Sequence, residues 1–552
     1  MEKIIRTLKS KAQKNDILAN YTLYDKYLEG EDTKSNINIA MQYLNKCYEL
    51  LEMREEVHEK PLSRLKIEKL ILKDFRKFRE LEVTFHDKIT VIIGDNGSGK
   101  TTITDALAKL LSWLSARIET AKKGAKTLTP SEININSEDF SEIISHLSFY
   151  NKNIFSSSLS RPTLGFKGRK VSDLEDFNNI SELYRVVNAS SKENYDRELN
   201  LPLFCYYSVD RASSYSTFNS NSNSQEPQSR FKAYNGALDG PGRFNEFFDW
   251  FLFINNYLGS SVVNTPEELS LIKEIEAFEE LKLDVNSPLF SIYKEKKKSF
   301  EKIKKSKDNE LNKHVMLQND VVKKAIISSV TSVSDIFTDS STGKHELKII
   351  NDGVLININQ ASQGQKTLIA MIADLSRRLV LLNPNLKNPL YGQGIVIIDE
   401  IELHLHPQWQ QSIVHSLTST FPNIQFIITT HSPQILSTVD KDCIRKIKET
   451  TEGNYEVYTP KFQTKGVQST KILEYIMETN SIPDLEEARR VDLFSSLLQQ
   501  GKKEKALEVL EILKEHFSEF EGQEHPVIQK CINQLKIYDM KHRILGNKDN
   551  DK

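Results

Sequence analysis

Two stretches far apart in the chain carry residues whose types and spacing could do phosphate chemistry. The first is Gly94-Asp95-Asn96-Gly97-Ser98-Gly99-Lys100-Thr101, followed by Thr102, which fits G-x-x-x-x-G-K-[ST] at each fixed position. Glycines let successive backbone N–H groups turn inward as an anion-binding nest. The spacing predicts that Lys100 reaches the β- and γ-phosphates of a nucleoside triphosphate and that the Thr101 hydroxyl ligates Mg²⁺. The second stretch is Asp399-Glu400, behind the apolar run Gly394 to Ile398. In a phosphate-loop protein the first acid, Asp399, organises the Mg²⁺ shell. Glu400 is then placed to polarise an attacking water and is the general-base candidate. His431, after the run Gln425 to Thr430, could hydrogen-bond a γ-phosphate and report its presence.

These residues need particular elements to hold them. Val91, Ile92 and Ile93 read as the end of a buried strand, and Ile103 to Leu114 continue as an apolar-periodic helix. The glycine loop therefore lies at a helix N-terminus, where the dipole favours an anion. The run before Asp399 reads as a buried parallel strand, and the run before His431 as another. Ahead of both, Ser362-Gln363-Gly364-Gln365 opens a helix with Leu368, Met371, Leu375 and Leu379 on one face. Alone, that is a capping serine with a glycine turn. Upstream, Leu65 to Leu70 and Leu81 to Phe85 alternate as a hairpin whose turn is Phe75-Arg76-Lys77-Phe78.

The order phosphate loop, S-x-G-Q, strand-Asp-Glu, strand-Thr-His resembles the ATPase head shared by ABC transporters, SMC and RecF proteins, and the hairpin before the loop resembles the SMC/RecF branch. Ile401 to Gln410, with Glu402, His404, His406 and Pro407, is similar to the E-x-H-L-H-P stretch of OLD-like and other prokaryotic defence ATPases. The whole is similar to the ATPases of Septu anti-phage systems, including those coupled to retrons. This resemblance implies ATP and Mg²⁺ as cofactors, with Arg76 and Lys77 approaching the nucleotide. It also implies a homodimer or higher oligomer in which Ser362, Gly364 and Gln365 complete the ATP site of a second subunit. Further partners it implies are a separately encoded HNH nuclease (PtuB-like) and, in the retron-linked form, a reverse transcriptase with its RNA–DNA product. The signature departs from the ABC pattern at Ala361 and Gln363, which points to slow turnover, and no glutamine between Thr102 and Ser362 stands out as the lobe-linking one. A DNA-repair ATPase of the SMC/RecF kind is the alternative, for which long heptads or a basic channel would be expected. An ABC transporter subunit fits less well, because of the long insert. An OLD nuclease fails on its missing Toprim carboxylates.

The expected fold is α/β: a mixed sheet with flanking helices in an ABC/SMC-type head, with α-helical N-terminal, insert and C-terminal regions. The divisions are 1–60, a tetratricopeptide- or Sel-like helical appendage; 61–235, a first lobe with the phosphate loop; 236–335, a helical insert; 336–460, a second lobe with signature, Asp-Glu strand and His431; and 461–552, a helical region read as a partner-docking module. The 552 residues carry a net charge of −2, which gives no global nucleic-acid footprint. The most basic segment, Lys294 to Lys307, reads either as a solvated helix face or as a phosphate contact, and Ala212 to Arg230 as a loop rich in Ser and Asn. Cys47, Cys205, Cys443 and Cys531 are scattered, without metal spacing. His404 and His406 lack an evident third ligand, so capping and interface roles are expected of them. Neither a signal peptide nor an apolar run near the roughly 20 residues of a membrane span is present, which predicts a cytoplasmic protein with no membrane partner.

Overall fold

Runs of β-branched residues set the central layer. In the computed structural model, residues 2–55, 59–150, 153–166, 168, 170–195, 198–211, 229–262, 271, 273–275, 277–278, 288–307, 310–341, 344–480, 484–517 and 524–546 are described. Of the Ser/Asn-rich loop, residues 212–228 lie outside this set, as do 263–270 and 281–287 of the helical insert. The strands are β1 (Lys66–Phe75), β2 (Phe78–Thr84), β3 (Ile89–Ile93), β4 (Phe140–Phe149), β5 (Asn153–Pro162) and β6 (Leu203–Tyr207). They continue with β7 (Val333–Asp339), β8 (Glu346–Asn351), β9 (Val354–Asn357), β10 (Gly394–Ile398), β11 (Ile424–Thr429), β12 (Ile444–Glu449) and β13 (Tyr455–Tyr458). The chain divides into two compact units, residues 1–469 and 470–552.

In the larger unit the central sheet runs β13-β12-β3-β11-β10-β6, parallel except for the antiparallel edge strand β13. Every residue of β3, β6, β10 and β11 is buried, as expected of strands covered on both faces. The order sets β11 between β3 and β10, so the ends carrying the glycine loop, His431 and Asp399 are neighbours. The helix Lys100–Glu119 follows the loop and packs against the helix Glu175–Tyr195.

A second sheet, antiparallel, runs β2-β1-β4-β5 and adds a second hairpin to the expected one. Strands β4 and β5 lie in a stretch with little apolar pattern because hydroxyl side chains take inward positions: Ser141, Ser145, Ser148, Ser157 and Ser158 are all buried. A third sheet, β7-β8-β9, precedes the helix Gln363–Leu382.

That helix is tied down by buried charge. Asp374 accepts from Arg378 Nε at 2.9 Å, Arg377 at 3.4 Å and the Tyr207 hydroxyl of β6 at 2.9 Å, and all three charged side chains are fully buried. Arg377 also pairs with Glu246 of the aromatic helix Phe244–Val262 at 3.0 Å, and Arg378 donates to the carbonyls of Ala233 and Asn235. Burial pushes the Asp374 carboxyl up, but the two guanidinium groups outweigh it and hold the pKa below the ordinary aspartate value.

The N-terminal helices Glu2–Ala12, Ile17–Glu29 and Ile37–Glu52 share a small core of Ile5, Ala12, Ala19, Leu23, Tyr27 and Ala40. Asp16 caps the second helix, and Gly30, at φ +79°, ends it. Glu52 accepts from the backbone and side chain of Asn200 and so fastens this group to the head. Of the basic segment, Lys294, Lys297 and Lys298 are exposed on the helix Pro288–Lys307.

The smaller unit is built from the helices Glu486–Gln499, Lys503–His516 and Pro526–Gly546 around Phe494, Leu498, Ala506, Leu510, Leu513, Ile528 and Cys531. All four cysteines are buried free thiols. Among the described residues, no helix is long and apolar enough to cross a membrane.

Candidate functional site

Around the glycine loop, polar side chains from four strand ends converge. Lys100 Nζ donates to the loop's own carbonyls, Gly94 at 2.9 Å and Asp95 at 3.1 Å. Burial lowers its pKa below the ordinary lysine value, and the negative charges of Glu400, Asp399 and Glu402 offset part of that. Ser98 Oγ is buried with no hydrogen-bond partner. A buried hydroxyl without a partner, beside a lysine folded back on backbone carbonyls, fits a loop shaped for phosphate oxygens. Thr101 Oγ1 donates to Asp399 Oδ2 at 2.8 Å, so the two predicted Mg²⁺ residues are brought together. Asp399 is wholly buried, and its second oxygen accepts from the Thr429 hydroxyl.

The hairpin turn reaches the same loop, and its two basic residues do different work. Lys77 Nζ donates to Gly97 O and lies 3.8 Å from the ring centroid of Tyr455 on β13. Phe78 meets Tyr455 edge-on at 5.2 Å and covers Gly99, where an added Cβ would strike its ring. Gly99 sits at φ +99°, so glycine is needed there twice over. Arg76 instead turns away to two carboxylates, Asp105 on the loop's helix and Glu132, each at 2.9 Å.

Glu400 lies at φ +46°, a left-handed conformation that a glutamate adopts only when its surroundings impose it. The surroundings are visible. Its backbone N–H donates to Thr429 Oγ1 at 2.8 Å, and its carbonyl accepts from Arg211. Arg211, 1% exposed, donates to the carbonyls of Ser208, Asp399 and Glu400 and so grips the backbone of both acids. Sequence reasoning passed over it. The available signal was its place, a basic residue just beyond the C-terminal end of the strand beside the Asp-Glu strand. Glu402, noted only as part of the E-x-H-L-H-P stretch, gains a role here: one oxygen accepts from Thr430 Oγ1 at 2.8 Å and the other from the backbone N–H of His431. It fixes the segment that presents His431.

The signature lies elsewhere. Ser362 caps the helix Gln363–Leu382 in a capping box with Gln365. The Gln365 carboxamide is buried and donates to Ser332 Oγ at 3.0 Å and Asn351 Oδ1 at 2.9 Å, latching β8 to the helix start. Ser362, Gln363 and Gly364 line an open cavity of about 850 Å³ with Thr331, Ser332, Asp352, His404, Leu405, His406, Gln408 and Trp409. None of these residues belongs to the phosphate loop. A Cβ on Gly364 would run into the His404 carbonyl and lie 3.2 Å from the Trp409 ring, so the glycine lets the turn after Glu400 press against the signature helix. His406 caps the short helix Pro407–Gln410 through its ring nitrogen, and no cluster of three metal-ligating side chains occurs among the described residues.

Residues 65–436 match the AAA ATPase domain family. The chain belongs to the AAA ATPase domain family. Relatives extend the likeness beyond the head. The Retron Vc95 probable ATPase of Vibrio cholerae serotype O1 biovar El Tor is 32% identical over 518 residues, covering 92% of this chain and 95% of that one. The Retron Ec83 probable ATPase of Escherichia coli is 31% identical over 457 residues, 80% of each chain. The Septu protein PtuA of Bacillus mycoides (strain KBAB4) is 30% identical over 167 residues, 30% of this chain and 23% of that one. This AAA ATPase is therefore of the retron-associated, PtuA-like kind.

Proposed function

We propose that this ATPase serves anti-phage defence as a head-to-head dimer whose ATP state controls a separately encoded HNH nuclease. In a retron, a reverse transcriptase with its RNA–DNA product would hold that complex silent. The observation that carries the dimer is the division of labour within one chain. The phosphate loop and both acids converge at one place, while Ser362 and Gly364 face an open cavity to which the loop contributes nothing. A site split in this way is completed by a second copy.

In this reading Lys100 leaves the carbonyls of Gly94 and Asp95 for the β- and γ-phosphates, and the loop N–H groups with Ser98 Oγ hold the remaining oxygens. Thr101 and Asp399 would hold Mg²⁺, which neutralises developing charge on the phosphates. Glu400 orients the attacking water and takes its proton, with its backbone held by Arg211. His431 donates towards the γ-phosphate from a backbone that Glu402 fixes. From the partner copy, Ser362 Oγ and the N–H groups at the start of its helix complete the cradle, while Gln365 keeps that helix start in place.

The test is co-expression with the neighbouring genes, followed by native mass of the purified Glu400→Gln complex with and without ATP. A doubled ATPase mass with ATP, carrying an HNH protein, is expected. A monomer in both conditions would overturn the dimer, and a complex without a nuclease would overturn the nuclease control.

A further inference from the structure

The first helix, Glu2–Ala12, carries a basic surface on this slightly acidic chain. From Lys3 to Lys14 there are five basic residues (Lys3, Arg6, Lys9, Lys11 and Lys14) and no acid. All five are exposed. At 3.6 residues per turn, Lys3 and Arg6 fall on one side of the helix together with Thr7 and Ser10, Lys9 and Lys11 border it, and Gln13 and Lys14 follow in the turn that ends it. The opposite side, Ile5, Leu8 and Ala12, is packed into the core shared with the second helix.

The basic side is uncommitted within the chain. Among the described residues, Lys3, Arg6, Lys11 and Lys14 form no ion pair. Lys9 lies 5.4 Å from the ring centroid of Tyr27. The nearest following acid, Asp16, caps the second helix by accepting from the N–H groups of Leu18 and Ala19, and Glu31 and Asp32 are both held by Lys26, at 3.0 and 2.7 Å. Like charges gathered on one side repel each other, so the arrangement favours a polyanion that can lie along it.

Chemistry narrows the partner. A membrane surface would need the apolar side of the helix, and that side is buried. A protein partner would need an aromatic or apolar anchor at the centre of the face, where the side chains are cationic, hydroxyl or amide, with Ile4 only at the edge. Lysine, arginine, serine, threonine and glutamine are the side chains that take nucleic-acid phosphates. Lys3 to Lys11 spans about 12 Å along the axis, over which a B-form duplex presents a phosphate every ~1.7 Å.

We infer that this face of the first helix docks the phosphate backbone of duplex nucleic acid. The inference stands on the helix alone and does not rest on the nuclease-control reading. The experiment titrates the full-length chain against a short labelled DNA duplex and the RNA–DNA hybrid of the same sequence, by fluorescence anisotropy over a range of salt. The comparison is with the combined variant Lys3→Ala, Arg6→Ala, Lys11→Ala, Lys14→Ala, because alanine retains the helix. ATP turnover by the same sample reports an intact head, since none of these residues lies at the nucleotide site. Each lost contact removes about 0.9 from the slope of log K against log salt, so the variant should be flatter by about 3 to 4 and at least about tenfold weaker at low salt. Binding of either duplex with that change supports the inference, and a combined Lys3→Arg, Lys11→Arg, Lys14→Arg variant should keep wild-type affinity. Absence of duplex binding, an unchanged slope in the alanine variant, or equal competition by polyglutamate at matched charge would overturn it.

Discussion

The phosphate loop and the signature face are built on opposite plans. At the phosphate loop, Lys100 donates to the loop's own carbonyls, Thr101 and Thr429 donate to Asp399, and Lys77 and Phe78 close over the top. The signature face lines an open cavity, and its Ser362 and Gln365 serve their own helix start. The first half is ready to bind. The second is only shaped, and in the proposed dimer another chain gives it its object. One element joins them: the turn from Glu400 to Leu405 begins at the acid and ends against Gly364. A change at either end should therefore have a signature of its own.

Glu400→Gln should leave ATP affinity intact and lower turnover by roughly 10²- to 10⁴-fold, the usual contribution of a general base. Wild-type hydrolysis rates in that protein would remove Glu400 from the role. Lys100→Ala strikes the binding half alone and should weaken ATP by about 3 kcal/mol, or ~100-fold, because a cation with two phosphate contacts is lost. Calorimetry showing unchanged affinity would break the assignment of the loop. Gly364→Ala is the converse experiment. Its methyl would press on the His404 carbonyl at a cost of about 1–3 kcal/mol, so turnover and ATP-dependent mass should fall while binding to the monomer stays within about twofold. Equal losses of binding and turnover would show that the two halves are not separable.

Arg211→Lys tests the clamp. It keeps the charge but not the fork that grips three carbonyls, so kcat should fall about tenfold with KM unchanged. A rise in KM with normal kcat would move Arg211 from positioning to binding. The smallest effect concerns pH. Burial disfavours the charged form of Lys100, so its pKa lies below the ordinary 10.5 and the charge is fully present only below that lowered value. ATP affinity should therefore begin to weaken on the alkaline side of neutrality at a lower pH than an ordinary lysine would give. Lys100→Arg, which stays charged, should flatten the profile at some cost in affinity. A flat profile in the wild type would show that the lysine does not titrate there.

The halves also differ in how legible they were. The loop could be read because each fixed position answers a separate requirement, and the buried runs before Asp399 and His431 could be read as parallel strands because Ile395–Ile398 and Phe426–Ile428 are consecutive apolar residues. The signature could be placed on a helix start, yet the reason for Gly364 lay in a turn some 40 residues on, visible only after folding. Arg76 and Lys77 look alike in sequence, and only the fold sends one to Asp105 and Glu132 and the other to the loop. The hairpin β4–β5 escaped notice because buried serines erase the apolar alternation by which a strand is recognised. Arg211 acts on backbone carbonyls, and such contacts leave no mark in residue spacing; Glu402 stood in the E-x-H-L-H-P stretch, but its hold on Thr430 and His431 appears only in the fold.

The salt-bridged cluster beneath the signature helix has a consequence for how such proteins can be recombined. The aromatic helix Phe244–Val262 falls in what reads along the chain as an insertion, a segment a protein engineer would excise or exchange between relatives. Its Glu246, however, is one of the two acids facing Arg377, and the carbonyls that hold Arg378 come from the chain just before it. Cutting it out would strand a guanidinium in the interior, at a cost of about 3–5 kcal/mol. Chimeras joined at the edges of this segment should fail to accumulate unless the acid and both arginines travel together. The segment and the head form one structural block, joined through Arg377 and Arg378.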